Sequence, residues 1–440
     1  MDYLQSLEFI NSFINYEKTT SYDYPEAFNL DRMRALAKEL GNPQKSFIPV
    51  IIAGSKGKGS IAAILSSILR MESYRVGLYT SPHLVDLKER IRVNGLKMSE
   101  AKFTEMAHLV RKTLDTPAWR KNPPTFFEVL TAMAFRHFKE MKVQIGVLEV
   151  GLGGLYDSTN IAEAMAVGLG PISLEHTDKL GKTVSKIAVQ KCGVIKGREA
   201  VVSAPQVEEV EAVVRKSVDE NEAVLYRTGK EIKVFTRDHG EDFQKFDLKS
   251  PLGNYFDLEL KLLGRHQIDN AAVAVGLAKA LEKKARVKVS AAAVRQGVLD
   301  ASWPGRLEKI SDHPLIVLDG AHHPESLRTA LEGLKRHFHY RRLVLVFGIL
   351  QDKDLDGMLK EILPCTDRLI LTAVGHPRAR TPESISRHLE SAALEVTIEP
   401  DFRAAFRKAR ESADPNDLIL VTGSLYLVGD VKGALEQNEI

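Results

Sequence analysis

The sequence has few cysteines and no long apolar run. Among its 440 residues only Cys192 and Cys365 are cysteines, too few for a disulfide framework, so we expect reduced thiols. No apolar stretch reaches the roughly 20 residues that a membrane-spanning helix needs. The first residues also lack the basic-then-apolar order of a signal peptide. We therefore expect a cytoplasmic protein that does not associate with a membrane.

A strong charge of one sign is absent as well. The 61 Lys and Arg against 58 Asp and Glu give a formal net charge of +3. Such mild basicity gives no argument for a nucleic-acid partner, because anionic small molecules are enough to explain it. The sequence shows no internal repeat and no low-complexity tract. A chain of this length exceeds one hydrophobic core, so we expect two domains or slightly more.

Short apolar runs alternate with segments of helical period through most of the chain. Residues 50–53, 76–79 and 143–150 have the composition of buried strands, and the spacing of residues 126–138 suits an amphipathic helix. Strands separated by helices indicate a mostly parallel sheet. Between residues 224 and 263 the pattern alternates with period two, which predicts antiparallel strands laid against the main sheet.

A domain boundary is predicted at residues 301–306, where Pro-Gly breaks regular structure. We predict an α/β fold in two parts: a P-loop ATPase-like domain with a mostly parallel sheet at residues 1–300, and a smaller Rossmann-like α/β domain at residues 307–440. Such a layout places a ligand cleft at the domain interface. The strand candidates of the second domain are residues 315–318, 343–347, 369–372 and 418–422.

The most informative motif is Gly-Ser-Lys-Gly-Lys-Gly-Ser at residues 54–60, between an apolar run and a helical pattern. Its glycines let backbone N–H groups approach a phosphate, and the helix N-terminus adds a favourable dipole. Lys58 would reach the β- and γ-phosphates, and a serine hydroxyl would bind magnesium. The extra Gly59 departs from the usual G-x-x-x-x-G-K-[ST] pattern, and a plain turn is the alternative. The predicted phosphate-site residues are Gly54, Ser55, Gly57, Lys58, Gly59 and Ser60.

Three further residues of the first domain suggest chemistry. Glu149 ends an apolar strand, where a P-loop protein places a magnesium-binding acid; the alternative is a solvated strand end. His176 is either structural or a metal or phosphate ligand, with Asp178 as a competing ligand. Apolar neighbours would lower the pKa of Lys191, although the spacing alone favours an ordinary lysine with a buried stem and an exposed head.

In the second domain, Asp319 and His322 follow a strand candidate. Polar groups at the carboxyl end of a strand in an open α/β sheet face the ligand crevice. Asp319 fits the role of a cap for the next helix equally well. The pair His322-His323 suggests zinc, but no Cys or third His with ligand spacing accompanies it. We therefore do not predict a zinc site.

Together these motifs resemble those of the folylpolyglutamate synthase family, which includes bifunctional dihydrofolate synthases, among the Mur-type ligases. The resemblance runs nearly end to end. Residues 54–60 resemble the loop G-T-N-G-K-G-S, whose extra glycine matches Gly59. The other matching segments are residues 80–84 with 89–91 and 94–95 (T-S-P-H-L, E-R-I and N-G), 125–128, 149–154, 191–196 (K-A-G-I-I-K in the family), 264–272 (G-x-H-Q-x-x-N-A-A), 319–322 and 422–429.

The resemblance implies a magnesium- and ATP-dependent ligase that joins L-glutamate to a folate or to dihydropteroate through an acyl phosphate. It implies that Ser81 and Glu149 hold one magnesium ion, and that His176 and a carbamylated Lys191 hold a second, because a carbamate is an oxygen ligand of the kind that magnesium prefers. Lys58, His176 and Lys191 would be catalytic, and a monomer is expected. Residues implied to contact nucleotide or glutamate across the cleft are Asn270, Arg306, Asp319 and His322.

Four positions depart from the family pattern. Leu155 stands where the family has arginine, Glu175 where it has aspartate, Gln190 where it has glutamate, and His323 where it has asparagine. Two alternatives therefore stay open. One is a divergent Mur-type ligase for another carboxylate; cell-wall ligases carry an extra N-terminal domain, for which little room precedes Gly54. The other is a nucleotide-binding regulatory protein without ligase activity.

Overall fold

The structure, a computed structural model, describes residues 1–17, 28–285, 287–389 and 394–440. Within these residues the largest sheet has eight strands. They are β1 (Ile48–Ala53), β2 (Val76–Tyr79), β3 (Ile91–Val93), β4 (Leu96–Lys97), β5 (Ile145–Glu149), β6 (Ala166–Leu169), β7 (Ala200–Ser203) and β8 (Val224–Arg227).

The order of this sheet is β4-β3-β2-β5-β1-β6-β7-β8. Strands β2, β5, β1, β6, β7 and β8 pair in parallel, and only the edge strands β3 and β4 are antiparallel. In the register, Ile52 of β1 lies between Glu149 of β5 and Gly168 of β6. The carboxyl ends of these three strands therefore meet at one edge, which confirms the predicted mostly parallel sheet.

Helix α3 lies in the core and is buried on all sides from Ser60 to Leu69. It packs between the sheet and two helices described below, one of which approaches so closely that a Cβ on Gly297 would lie 2.3 Å from the backbone of Ile68. The helices up to residue 220 are α1 (Tyr3–Asn11), α2 (Leu30–Glu39), α3 (Lys58–Met71), α4 (Glu100–Leu114), α5 (Pro117–Lys121), α6 (Phe126–Glu140), α7 (Val184–Cys192) and α8 (Glu208–Glu220).

A second sheet of three antiparallel strands follows, with β9 (Lys233–His239), β10 (Gln244–Ser250) and β11 (Gly253–Leu260), and then α9 (Arg265–Ala285) and α10 (Ala291–Leu299). The antiparallel pairing predicted for residues 224–263 is correct for β9 to β11. It is wrong for residues 224–227, which form β8 and pair in parallel with β7 of the main sheet, and the predicted position of the antiparallel strands was wrong as well. Helix α9 contacts β6 and β7 of the main sheet and also β9 and β10. Because α9 is apolar around most of its circumference, it needs cover on two sides, and the small sheet supplies one of them.

The C-terminal part is an α/β domain of six strands in the order β12-β13-β17-β14-β15-β16, counted over the described residues. All neighbours pair in parallel except β12 with β13. Apolar cores lie on both faces of this sheet, as in the Rossmann-like domain that the sequence predicts. Its elements are β12 (Glu308–Asp312), β13 (Leu315–Leu318), α11 (Pro324–His337), β14 (Leu343–Phe347), α12 (Leu355–Ile362), β15 (Arg368–Leu371), α13 (Pro382–Ser386), β16 (Glu395–Ile398), α14 (Phe402–Ser412), β17 (Leu418–Thr422) and α15 (Leu425–Glu436).

Residues 301–306 connect α10 to β12, and the domain limits at 300 and 307 stay predictions. Among the helices that the structure describes, none combines the length and apolar character needed to cross a bilayer. Short 3-10 helices span Pro43–Lys45, Leu87–Arg90, Ser158–Ile161, Leu363–Cys365 and Arg387–Leu389.

Candidate active site

The glycine-rich turn connects the carboxyl end of β1 to the start of α3. Gly54 has φ 144° and Gly57 has φ 76°, backbone conformations that favour glycine. A Cβ on Gly57 would lie 2.3 Å from Oδ1 of Asn270, and a Cβ on Gly54 would lie 2.9 Å from Cα of Gly170. The turn is therefore pressed between the loop after β6 and the start of α9, which places Asn270 against the predicted phosphate site.

At the start of α3, no N-cap side chain accepts a hydrogen bond from the backbone N–H groups. Its N-cap is Gly57, which has no side chain to accept a hydrogen bond, and its first turn contains no acidic residue. The first N–H groups of a helix have no partner within the helix and attract anions. Lys58 Nζ donates to the Gly54 carbonyl oxygen at 3.0 Å. Ser60 is buried in the same turn, whereas the Ser55 hydroxyl points away and donates to the Ser173 carbonyl oxygen at 3.0 Å.

Glu149 lies at the carboxyl end of β5 and is only 5% exposed, so the solvated strand end is the wrong alternative. Its Oε2 accepts the Ser81 backbone N–H at 3.1 Å, and it forms no ion pair with any described residue. Burial raises the pKa of Glu149 to about 7, although the charge of Lys58 and the Ser81 hydrogen bond favour the ionised form. The nearby positive charges do not offset the burial of this carboxylate, and such a group suits a bound cation.

Lys191 is 2% exposed including its amine, which excludes the lysine with an exposed head. Its Nζ lies 2.5 Å from Oε1 of Glu175 and donates to the Gly54 carbonyl oxygen at 2.8 Å. Burial lowers the pKa of Lys191 to about 8, against the opposing charge of Glu175. In the sequence, Glu175 stood out only as a departure from the family pattern. Burial would raise the pKa of its carboxyl, but the charges of Lys191 and Lys58 lower that pKa to about 2.

His176 follows Glu175 in the loop after β6, with a left-handed backbone (φ 44°) and an exposed side chain. The competing ligand Asp178 is exposed and lies 3.5 Å from Lys179 Nζ. Among the described residues, no three His, Cys, Asp or Glu side chains form a preformed metal cluster. Without modification of Lys191, the described residues leave Glu175 and His176 as the candidate ligands of the second predicted metal site.

Asp319 is buried and holds the interdomain segment rather than a helix. Its Oδ2 accepts the Leu307 N–H and its Oδ1 accepts the Ala321 N–H, both at 2.9 Å. The N-cap of α11 is His323, whose ring nitrogen accepts the Ser326 N–H at 3.3 Å. The alternative that Asp319 caps this helix is therefore wrong, and His323, the position that departs from the family, has that role.

His322 and Arg306 lie beside this tether. Nδ1 of His322 is 2.8 Å from the Gly320 carbonyl oxygen, and burial lowers the pKa of His322 to about 3, so its ring is neutral. Arg306 donates from Nη1 to the Gly305 carbonyl oxygen at 2.8 Å. The charge of Arg306 acts on both Asp319 and Glu149, so the second domain faces the site of the first.

Four residues of this cleft were missed as site residues by the sequence analysis. Lys56 of the glycine-rich turn forms an ion pair with Glu325 of α11, which joins the two domains. The Trp303 ring covers Gly59: a Cβ added at this position would lie 2.8 Å from the ring. The fourth residue is Arg90, which is 1% exposed. Arg90 belonged to a family motif, Lys56 to the glycine-rich motif and Trp303 to the predicted boundary, so these three had a signal in the sequence, whereas Glu325 had none.

Known proteins match nearly the whole chain. Residues 52–278 match the Mur ligase middle domain, and residues 305–425 match the glutamate ligase domain of Mur ligases. The dihydrofolate synthase/folylpolyglutamate synthase of Bacillus subtilis (strain 168) is 32% identical over 411 residues, which cover 92% of this chain and 95% of that protein. The chain belongs to the folylpolyglutamate synthase/dihydrofolate synthase family of Mur ligases.

Two other family members agree with this assignment. The folylpolyglutamate synthase of Lacticaseibacillus casei is 32% identical over 446 residues, covering 99% of each chain. The structure of Mycobacterium tuberculosis folylpolyglutamate synthase complexed with ADP superimposes with a TM-score of 0.89 at 31% identity, covering 98% of this chain and 97% of that one. The family resemblance and the fold class are thus confirmed, and the chain is an ATP-dependent ligase.

Proposed function

We propose that this ligase adds L-glutamate to a folate, in the cytoplasm and as a monomer, through an acyl-phosphate intermediate. It needs neither nucleic acid nor a membrane. The observation that carries the proposal is the buried Glu149 beside the phosphate-binding turn, opposite a glutamate ligase domain. Relatives named folylpolyglutamate synthase that match over nearly their full length support the choice of folate and glutamate.

The chemistry begins at the acceptor carboxylate, which is a poor electrophile. Transfer of the γ-phosphoryl group from ATP to this carboxylate creates a leaving group, and the amine of glutamate then displaces phosphate. Phosphoryl transfer depends mainly on positioning and on charge neutralisation. The first turn of α3 would hold the phosphates, and Lys58 would exchange its bond to the Gly54 carbonyl oxygen for a phosphate oxygen.

Ser81 and Glu149 would hold the first magnesium ion, and the uncompensated burial of Glu149 supports this. When bound, magnesium supplies charge neutralisation for the phosphates. For the second site, a pKa of about 8 leaves part of the Lys191 amine neutral near neutral pH, the form that reacts with carbon dioxide. Carbamylation would place a second anion beside Glu175 at this buried point. Such like charges need a cation between them, and His176 would complete that site.

Residues of the second domain would contact nucleotide or glutamate. Neutral His322 can accept or donate a hydrogen bond without charge, and Arg306 can bind a carboxylate or phosphate. Asp319 would hold residues 305–307 in position through the Leu307 N–H, and Asn270 lies against the phosphate turn. Closure of the two domains would exclude water from the acyl phosphate.

The first experiment measures ADP release with magnesium, ATP and glutamate, comparing tetrahydrofolate, dihydropteroate and no acceptor. Acceptor-dependent ADP release with a product heavier by one glutamyl unit is expected with tetrahydrofolate, and stimulation by dihydropteroate as well would make the enzyme bifunctional. Lys58→Ala should lower turnover at least about 100-fold, whereas Lys216→Ala on the exposed face of α8 should not. ATP binding without acceptor-dependent turnover would contradict the proposal.

A further inference from the structure

Arg90 forms a buried carboxylate site that the phosphate chemistry does not use. The side chain is 1% exposed, and its Nη1 and Nη2 donate to the two carboxylate oxygens of Glu17 at 2.7 and 2.6 Å. Nε donates to Nδ1 of His83 at 3.0 Å, and the Phe126 ring lies 5.4 Å from the guanidinium carbon. A guanidinium held in this way presents two parallel N–H groups to a carboxylate.

The two partners of this ion pair differ in their exposure to solvent. Arg90 is enclosed, with the His83 and Phe126 rings fixing its plane. The Glu17 side chain is 30% exposed, so a ligand that arrives from solvent meets this carboxylate before it meets the guanidinium. Arg90 is therefore the enclosed part of the site, and the carboxylate of Glu17 is the part that an incoming carboxylate would replace.

The site opens toward the second domain. Nη2 of Arg378 donates to the Glu17 carbonyl oxygen at 2.9 Å. The Tyr426 ring, stacked on His376 at 4.4 Å, lies near enough for the charges of Glu17 and Arg90 to act on its pKa. A ligand in the Arg90 site would therefore lie between the two domains, where acceptor and donor must meet.

The reacting centre is close by. The Thr80 N–H donates to the Arg90 carbonyl oxygen at 3.0 Å, and the next N–H, that of Ser81, donates to Glu149. His83, which holds the guanidinium, belongs to the same loop. Arg90 thus lies one hydrogen bond from the loop that carries the proposed magnesium ligands, and within the described residues none of its hydrogen bonds reaches residues 54–60.

A folate acceptor carries two carboxylates on its terminal glutamyl residue, and only one of them reacts. The reacting oxygen must stay free to attack phosphorus, whereas the Arg90 fork engages both oxygens of the carboxylate that it binds. Building on the proposed function, we propose that the Arg90 fork binds the non-reacting α-carboxylate of the acceptor's terminal glutamyl residue, and that Glu17 occupies the fork until the acceptor displaces it.

This arrangement makes Glu17 an internal competitor. If Glu17 occupies the fork in nine molecules of ten, the apparent affinity for a glutamylated acceptor falls about tenfold. Dihydropteroate has a single carboxylate, the reacting one, and gains nothing from the fork. The competition therefore weakens the binding of folates but not of dihydropteroate. Glu17, which lies outside the phosphate site, would thus set the relative rates of the two reactions.

The test measures kcat and KM for tetrahydrofolate and for dihydropteroate with Glu17→Gln, which keeps the shape but removes the charge. We expect KM for tetrahydrofolate to fall by about three- to tenfold, with kcat and the dihydropteroate KM unchanged. The control is Glu222→Gln, which breaks an ion pair with Arg198 at 2.7 Å. Arg198 lies just before β7 and Glu222 lies just before β8, so the pair lies at the amino ends of the strands, whereas the site lies at their carboxyl ends. We therefore expect no change in kcat or in KM for either acceptor.

Arg90→Lys is the second variant, because a lysine keeps the charge but loses the fork. KM for tetrahydrofolate should rise at least tenfold while ADP affinity, measured by calorimetry, stays constant. If that variant does not fold, Glu17→Gln decides alone. A higher tetrahydrofolate KM in Glu17→Gln, or equal changes for both acceptors, would overturn the inference and make Glu17 a structural strap.

The proposed function has a separate test: it is wrong if the wild-type enzyme turns over neither acceptor. Calorimetric titration of tetrahydrofolate into the ADP-loaded wild type and Glu17→Gln then still tests the fork: tighter binding by the variant supports it, and unchanged or weaker binding refutes it.

Discussion

Replacing Glu149 with glutamine should stabilise the metal-free protein at alkaline pH while it abolishes ligase turnover. Burial raises the pKa of this carboxyl from 4.5 to about 7, so the folded state holds the proton more tightly than the unfolded chain. Ionising the group therefore costs no stability below about pH 4.5. The cost grows as the pH rises toward 7 and stays constant above it.

The size of the effect follows from the two pKa values. The difference between 7 and 4.5, at 1.36 kcal/mol for each pKa unit, gives a full cost of about 3 kcal/mol. About 1 kcal/mol of it is already present at pH 5, so the advantage of the variant should grow by about 2 to 3 kcal/mol between pH 5 and pH 8.5. The amide has its own cost if an N–H stays unpaired, but that cost is the same at both pH values and cancels in the comparison.

The assay is urea unfolding in EDTA at pH 5 and pH 8.5, with Glu222→Gln as the exposed control that should show no pH-dependent difference. A second arm adds magnesium and ADP at pH 8.5, which should stabilise the wild type more than the variant, since only the wild type regains charge compensation at Glu149. An equal difference in unfolding free energy at the two pH values would refute the reasoning, because it would mean that the carboxylate is already compensated in the folded protein.

Three further perturbations test the rest of the site. Gly57→Ala forces an alanine into a left-handed backbone (φ 76°), which costs about 1–2 kcal/mol, and should lower ADP affinity in equilibrium titration. Gly197→Ala, where a Cβ meets nothing within 4 Å, is the control and should bind like the wild type. Lys191→Arg keeps a cation that cannot be carbamylated, so turnover should be lost while ADP still binds. Carbon-13-labelled bicarbonate should give a carbamate resonance in the wild type only, and a fully active wild type without that resonance would exclude the carbamate. Trp303→Ala uncovers Gly59 and should weaken ADP binding with little change in the urea midpoint, and unchanged binding would show that the ring does not hold the turn.

Local patterns in the sequence predicted most of the secondary structure and singled out the residues that we propose for the site. The strand predicted at residues 76–79 is β2, because a short apolar run between polar turns can form little else. The strand predicted at residues 143–150 is the shorter β5, since the Val143 N–H still bonds to the end of α6. The glycine-rich turn and the acid at position 149 were visible because neighbours along the chain determine both.

Other features depended on which distant segments meet. The sequence placed the small antiparallel sheet on the main sheet, but the apolar circumference of α9 separates them. The sequence could not decide whether Asp319 caps a helix or binds a ligand. Only the packing shows that Asp319 accepts the Leu307 N–H, and that His323 caps α11. No local pattern could decide these points, because each depends on a contact between segments.

The sequence by itself determined the family, the order of most strands and helices and the glycine-rich turn, because these depend on short motifs, on periodicity and on spacing between near neighbours. Only the tertiary structure decided the charges of the site. The buried amine of Lys191 meets Glu175, and Arg90 meets Glu17 across 73 residues. Burial and the nearest opposite charge set the pKa and the pairing of an ionisable group, and both exist only once the chain has folded.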